Sequence, residues 1–270
     1  MKRDTMQLIL VTGLKGGVGK TTTSVELARA LTRAGKRVAI LDIDYRTPNV
    51  PVAMDAEDTE LSHTYEGDVL IPPVIDGIKL MSMAYIWPPG KAVQVKDDDA
   101  MEDVRHLLTP GIVNWDHESG PTEYLVVDTP PTSVGVVEVA LTAPNVRGAV
   151  IVSHASRVSR HDARQTIDLF RESEVPILGM VCNQSVDTRG EMRYDLEPRD
   201  IEALAAEYGL PYLATVPHTR DRAVMEPCFD AIAQMVLTGA TVTLEVPPTE
   251  EEPWRRLVSL TRTLKESGSS

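Results

Sequence analysis

The stretch Gly13-Leu14-Lys15-Gly16-Gly17-Val18-Gly19-Lys20-Thr21-Thr22 constrains this chain more than any other. It follows the apolar run Leu8–Thr12. It opens a segment, Lys20–Ala34, whose Val25, Leu27, Ala28 and Leu31 form an apolar helical stripe ending at Gly35, a residue suited to a left-handed cap. A glycine-rich turn between strand and helix serves one chemistry well. Without Cβ atoms, successive backbone N–H groups turn inward around an anion, and the helix aims its positive end at the same point. In such a loop Lys20 reaches the β- and γ-phosphates of a nucleotide and the Thr21 hydroxyl is a ligand for Mg2+. Gly16, Gly17, Val18, Gly19 and Thr22 complete the expected cradle. The strict phosphate-loop pattern has glycine where this chain has Leu14.

Short apolar runs recur at Arg37–Asp42, Ile78–Met83, Tyr124–Asp128, Ala149–Ser153, Ile177–Cys182 and Tyr212–Val216. They lack polar alternation, as strands buried on both faces do, and helical stretches separate them. One such helix is expected after Ser159, with Ser159 and Asp162 at capping-box spacing. The alternation implies an α/β fold: a mainly parallel, twisted sheet of about seven or eight strands with helices on both faces, and ligands at the carboxyl ends of the strands. Residues 45–76, Ile86–Asp99 and Thr238–Pro253 break the rhythm and read as loops or insertions. Residues 1–266 read as a single domain and 267–270 as a disordered tail.

The balance of 27 Lys and Arg against 40 Asp and Glu gives a formal net charge of −13, which repels a phosphate backbone and argues against DNA as a partner. No run approaches the roughly 20 apolar residues of a membrane helix, and the N-terminus is unlike a signal peptide. Two isolated cysteines, Cys182 and Cys228, agree with a reducing compartment. A cytoplasmic location is expected.

From Lys15 to Thr22 the chain resembles the deviant Walker A loop of the MinD, ParA and Mrp superfamily of P-loop ATPases. The resemblance implies that Lys15 reaches across an ATP-dependent homodimer to the partner's nucleotide, although a solvated loop charge would read the same way. Asp42-Ile43-Asp44 resembles the family's first switch, implying a water-positioning Asp44 and an Asp42 near the metal. Tyr124–Asp128, followed by Thr129-Pro130-Pro131, resembles Walker B, implying that Asp128 serves the Mg2+ shell. Asn183 resembles the adenine-contacting asparagine and Pro217 the loop across the base; an asparagine after a strand serves equally as a turn residue. ATP, rather than GTP, is the implied nucleotide, and slow hydrolysis driving a client protein or cargo is the implied activity.

Leu41–Pro48, Gly77–Met83, Tyr124–Pro131 and Val175–Asn183 resemble the Mrp branch in particular. That branch is associated with iron–sulfur clusters bound at a Cys-x-x-Cys pair between subunits. Here the segment after Asn183 has no cysteine, so a cluster is not expected, and a carrier with other ligands stands as an alternative. The six histidines lack metal spacing and read as surface or loop residues. Trp254, Leu257, Val258, Thr261 and Leu264 follow helical spacing beside basic residues. That pattern suits a helix packed on the sheet, or a membrane contact through residues 253–265 in a MinD-like positioning role.

Overall fold

The computed structural model describes residues 6–64, 69–87, 96–131, 134–143, 145–239, 242–244 and 260–262. Its centre is an eight-stranded sheet in the order β10-β9-β8-β1-β7-β2-β6-β5. The strands are β1 (Gln7–Thr12), β2 (Val38–Asp42), β5 (Val74–Ile75), β6 (Ile78–Ser82), β7 (Tyr124–Asp128), β8 (Val146–Ser153), β9 (Ile177–Asp187) and β10 (Tyr212–His218). All neighbours run parallel except β5, which pairs antiparallel with β6 at the edge. Two short strands, β3 (Ser62–His63) and β4 (Leu70–Ile71), form a separate ribbon. The expected α/β architecture, with helices on both faces, is what the chain adopts.

Strand periodicity divides the core. Along β1, Ile9 and Val11 point to one face and Leu8 and Leu10 to the other, and all four are buried. On the first face they meet α1 (Lys20–Arg33) through Val25 and Leu31, and α7 (Arg222–Thr238) through Phe229 and Ile232. On the second they meet α3 (Asp97–Leu107) through Val104, α4 (Val134–Leu141) through Val136 and Ala140, and Phe170 of α5 (Arg157–Glu172). Further along that face α5 and α6 (Pro198–Glu207) cover β8 and β9 through Ile167, Ile201 and Leu204. Each such side chain contributes roughly 1.5–3 kcal/mol of burial, which holds the strand ends in one plane.

Four expectations are corrected. The acidic run Asp97–Asp99, expected in a loop, forms the first turn of α3, where carboxylates suit the positive end of the helix. Residues 45–76 likewise contain the short helix α2 (Val50–Ala53) as well as strands. Helix α5 begins earlier than Ser159: Ser156 is the cap, its hydroxyl accepting from the Ser159 N–H, so Ser159 lies inside the first turn. At the other end of the chain, Leu260–Arg262 (β12) pair antiparallel with Val242–Leu244 (β11), so these three residues are strand and not helix. Trp254 and the rest of residues 253–265, like the tail 267–270, lie outside the described residues. No helix among the described residues is long and apolar enough to cross a membrane.

Candidate nucleotide site

Parallel register delivers the acidic side chains. Asp128 closes β7 opposite Val11 of β1 on one side and Asp42 of β2 on the other, so both carboxylates emerge beside the loop that leaves β1. That loop, Gly13–Gly19, enters α1 at Lys20. Two of its glycines are required by space. A Cβ on Gly13 would sit 2.6 Å from the Val152 carbonyl oxygen, and one on Gly19, whose φ is 87°, would sit 2.0 Å from Asn183 Nδ2.

Lys20 is 7% exposed and donates from Nζ to the Lys15 carbonyl at 3.2 Å. Burial lowers its pKa, and the nearby Asp128 and Asp44 oppose that shift. Thr21 and Ser24 donate their hydroxyls to the two oxygens of Asp128, each at 2.8 Å. Asp128 is nevertheless pushed up to about 6, chiefly by burial. Asp42 is raised well above the usual carboxylate range by burial and then by repulsion from Asp128. Two buried acids short of positive charge, beside a lysine and a glycine cradle, fit a divalent cation carrying a polyphosphate. Among the described residues no group of three or more His, Cys, Asp or Glu side chains forms a ready metal cage, so such a cation would rely on Thr21, Asp128 and the phosphates themselves.

The first switch segment is tied down by its own carboxylates. Asp42 accepts from the Asp44 N–H at 3.0 Å and from Ser82 Oγ at 2.9 Å, so it anchors this loop as well as facing Asp128. Asp44, 8% exposed, accepts from the Thr47 N–H and the Thr47 hydroxyl, both at 3.0 Å. Tyr45, fully buried, hydrogen-bonds Asp97 through its hydroxyl, and Arg46 pairs with the same carboxylate at 2.7 Å, which locks the segment to α3. Asn183 lies on β9 opposite Val216 of β10, with the buried Pro217 next in the chain. Its Nδ2 donates to the Val18 carbonyl at 2.9 Å. Ser24 and Ser82 were missed from the sequence; Ser24 falls three residues after Thr21, so helical spacing places both hydroxyls on one face.

A family model described as ParA, the NUBPL iron-transfer P-loop NTPases, matches residues 4–239. This chain belongs to that family. An iron-sulfur cluster carrier protein of Methanocaldococcus jannaschii is 32% identical over 225 residues, covering 78% of this chain and 72% of the relative. A nucleotide-binding protein of Archaeoglobus fulgidus, solved in complex with ADP, superposes with a TM-score of 0.65 at 26% identity over 83% of this chain and 87% of its own. The septum site-determining protein MinD of Pyrococcus horikoshii, complexed with Mg-ADP, shares the fold with a TM-score of 0.64 at 16% identity, over 87% and 97% of the two chains. The resemblance to the MinD, ParA and Mrp superfamily is thereby the chain's family.

The expectation that no iron–sulfur cluster is involved is overturned by the carrier relative's name and by the iron-transfer family. A missing cysteine pair removes one set of ligands and is not by itself evidence against a cluster. Both cysteines of this family member are buried. Cys182 donates to Ser185 Oγ at 3.1 Å, and burial pushes its thiol up to about 11; Cys228 is pushed up to about 12.

His154 stands in a loop after β8, as expected, but it is not a surface residue. It is 4% exposed and stacks on Tyr194 with ring centroids 4.4 Å apart. Burial, then the charges of Lys15, Arg193 and His218, push it down from 6.5 to about 4. The folded state therefore binds fewer protons than the unfolded chain between those values. This contribution is absent above pH 6.5, costs stability as pH falls through the window, and levels off below about 4. Against His154→Gln, the wild type is expected to lose on the order of 1 kcal/mol more between pH 7 and 5. Urea midpoints at the two pH values measure it, and equal losses in both proteins would refute this role for His154.

Proposed function

We propose that this chain is a Mg-ATP-dependent ATPase that handles iron–sulfur clusters, working as a nucleotide-held homodimer in the cytoplasm. The observation that carries the reading is the convergence of Lys20, Thr21, Asp44 and Asp128 on one glycine cradle, in a member of the iron-transfer family. Phosphoryl transfer needs positioning and charge neutralisation more than covalent chemistry, and these residues offer both. Lys20 turns from the Lys15 carbonyl to the phosphates. Thr21 and Asp128 would hold the Mg2+, which would neutralise phosphate charge. Asp44 orients the attacking water after releasing Thr47, and Lys15 contributes its charge to the second copy's nucleotide. Pro217 flanks the base, and Asn183 holds the phosphate loop at the Val18 carbonyl. An ADP-bound structural relative and a carrier relative support the two halves of the reading.

The cluster is cargo, and β9 is where this chain would meet it. Cys182 lies midway along β9, packed with Ile167 of α5 and Ile201 and Leu204 of α6 and donating to Ser185 Oγ, so its sulfur would serve a cluster only after that cover parts. Anaerobic reconstitution followed by iron and sulfide analysis tests the proposal, with and without Mg-ATP. Iron is expected on the wild type, with at least about a fivefold loss in Cys182→Ser, since thiolates are the usual cluster ligands. No iron in any nucleotide state would reject cluster carriage and leave an ATPase acting on a protein client.

A further inference from the structure

Asn183 is 1% exposed, and its side chain donates from Nδ2 to the Val18 carbonyl at 2.9 Å. The carbonyl it holds belongs to the peptide joining Val18 to Gly19. In a planar trans peptide the C=O and N–H point in opposite directions. Fixing the Val18 oxygen on Asn183 therefore fixes the direction of the Gly19 N–H, one of the donors a phosphate loop must turn inward. The close approach at Gly19 belongs to the same contact: a Cβ there would strike Asn183 Nδ2.

The other side of Asn183 leads to a hairpin. Ser185 Oγ donates to the Asn183 carbonyl at 3.2 Å and accepts from the Ala155 N–H at 2.7 Å, joining β9 to the end of β8. The Arg193 N–H donates to the Ser185 carbonyl at 3.0 Å, and the Arg193 guanidinium reaches the Gln184 carbonyl at 3.3 Å. Val186 bridges Met192, and Asp187 closes the turn by accepting from the N–H groups of Arg189 and Glu191. Gln184, between the loop contact and the hairpin, has φ 53°, a left-handed conformation that a non-glycine residue holds only when its surroundings enforce it. Met192 at the hairpin's end is 48% exposed.

We infer that Asn183 is a positioning residue that orients the Val18–Gly19 peptide for phosphate and couples the phosphate loop to the 185–193 hairpin. The inference rests on the nucleotide-site reading above and deepens it. Nucleotide binding pulls on the Gly19 N–H, the Val18 carbonyl turns with it, and Asn183, Gln184 and Ser185 pass the movement to the segment next to Cys182. An asparagine that instead read adenine would act only on adenine nucleotides. Because this one acts on the loop, its loss should be felt whatever the base.

Calorimetric affinities for ADP, GDP and inorganic pyrophosphate, each with Mg2+, separate the two roles. Asn183→Ala is expected to weaken all three by the same factor, on the order of tenfold for one buried hydrogen bond. Asn183→Asp, which sets a carboxylate against the carbonyl, should weaken them further. Hydrogen–deuterium exchange over residues 185–193 should slow on Mg-ADP binding in the wild type and not in Asn183→Ala. Ser185→Ala leaves the Val18 contact intact, so it should keep the affinity and lose the exchange response. A loss confined to ADP, an unchanged affinity in Asn183→Ala, or a hairpin response that survives both substitutions overturns the inference. A wild type that binds none of the three probes overturns the nucleotide site itself.

Discussion

Asp44→Ala is expected to lower ATP hydrolysis by at least about a hundredfold, the usual scale for removing a group that orients or deprotonates the nucleophile, while ATP stays bound. The protein should then accumulate as an ATP-held dimer. Asp44 lies close enough to Lys20 to oppose the lowering of its pKa, which places its carboxylate within the field of the phosphate site. Its oxygens are held within the loop, by the Arg46 N–H and by the Thr47 N–H and hydroxyl, and not by the sheet, so a small loop movement frees them. The substitution also removes that tether. Thr47→Val isolates the tether, since it deletes the hydroxyl contact and keeps the carboxylate; its hydrolysis should fall by less than about tenfold, as loss of one exposed-side hydrogen bond would predict. Phosphate release and sedimentation velocity in ATP and ADP measure both effects. A monomer in every nucleotide state would defeat the dimer, and equal losses in the two variants would assign Asp44 to loop structure alone.

Much of this site could be read in the sequence because its residues are fixed by local rules. Gly13–Thr22 sits between a strand and a helix, and Asp42 and Asp128 end apolar runs, so a parallel register brings them together without any knowledge of loops. What escaped depends on contacts between distant segments. Asp97–Asp99 look like a solvated acidic loop until Tyr45 and Arg46, 52 and 51 residues upstream, arrive as partners of Asp97. Ser156 and Ser159 offer the same hydroxyl, and only the start of β8's exit decides which one caps α5. His154 has no spacing signal, because its burial comes from Tyr194, which stands on the far side of β9 in sequence. The missing cysteine pair speaks against one set of cluster ligands only, and the iron-transfer family favours the alternative of a carrier with other ligands. The hairpin that replaces the pair is folded around Ser185 and Gln184, whose roles no periodicity announces.

The two loop lysines should separate binding from assembly. Lys20→Ala is expected to weaken Mg-ATP binding by at least about a hundredfold, because Lys20 is a buried cation aimed at the site and charge-assisted contacts to phosphate are the strong ones. Its removal also leaves the acid pair without the charge that holds Asp128 down, so a cation-bound phosphate meets more repulsion. Lys15 stands differently. Only its carbonyl is engaged, by Lys20, and its ammonium makes no ion pair among the described residues. Alanine keeps that carbonyl, so Lys15→Ala should bind Mg-ATP within about threefold of the wild type, as for a half-buried charge without an ion pair. It should fail to dimerise, if its charge serves the second copy's phosphates. Calorimetry and sedimentation in ATP on both variants decide the matter. A Lys15→Ala protein that still dimerises makes Lys15 a solvated loop charge, and one that loses nucleotide as fully as Lys20→Ala places both lysines on the same phosphate.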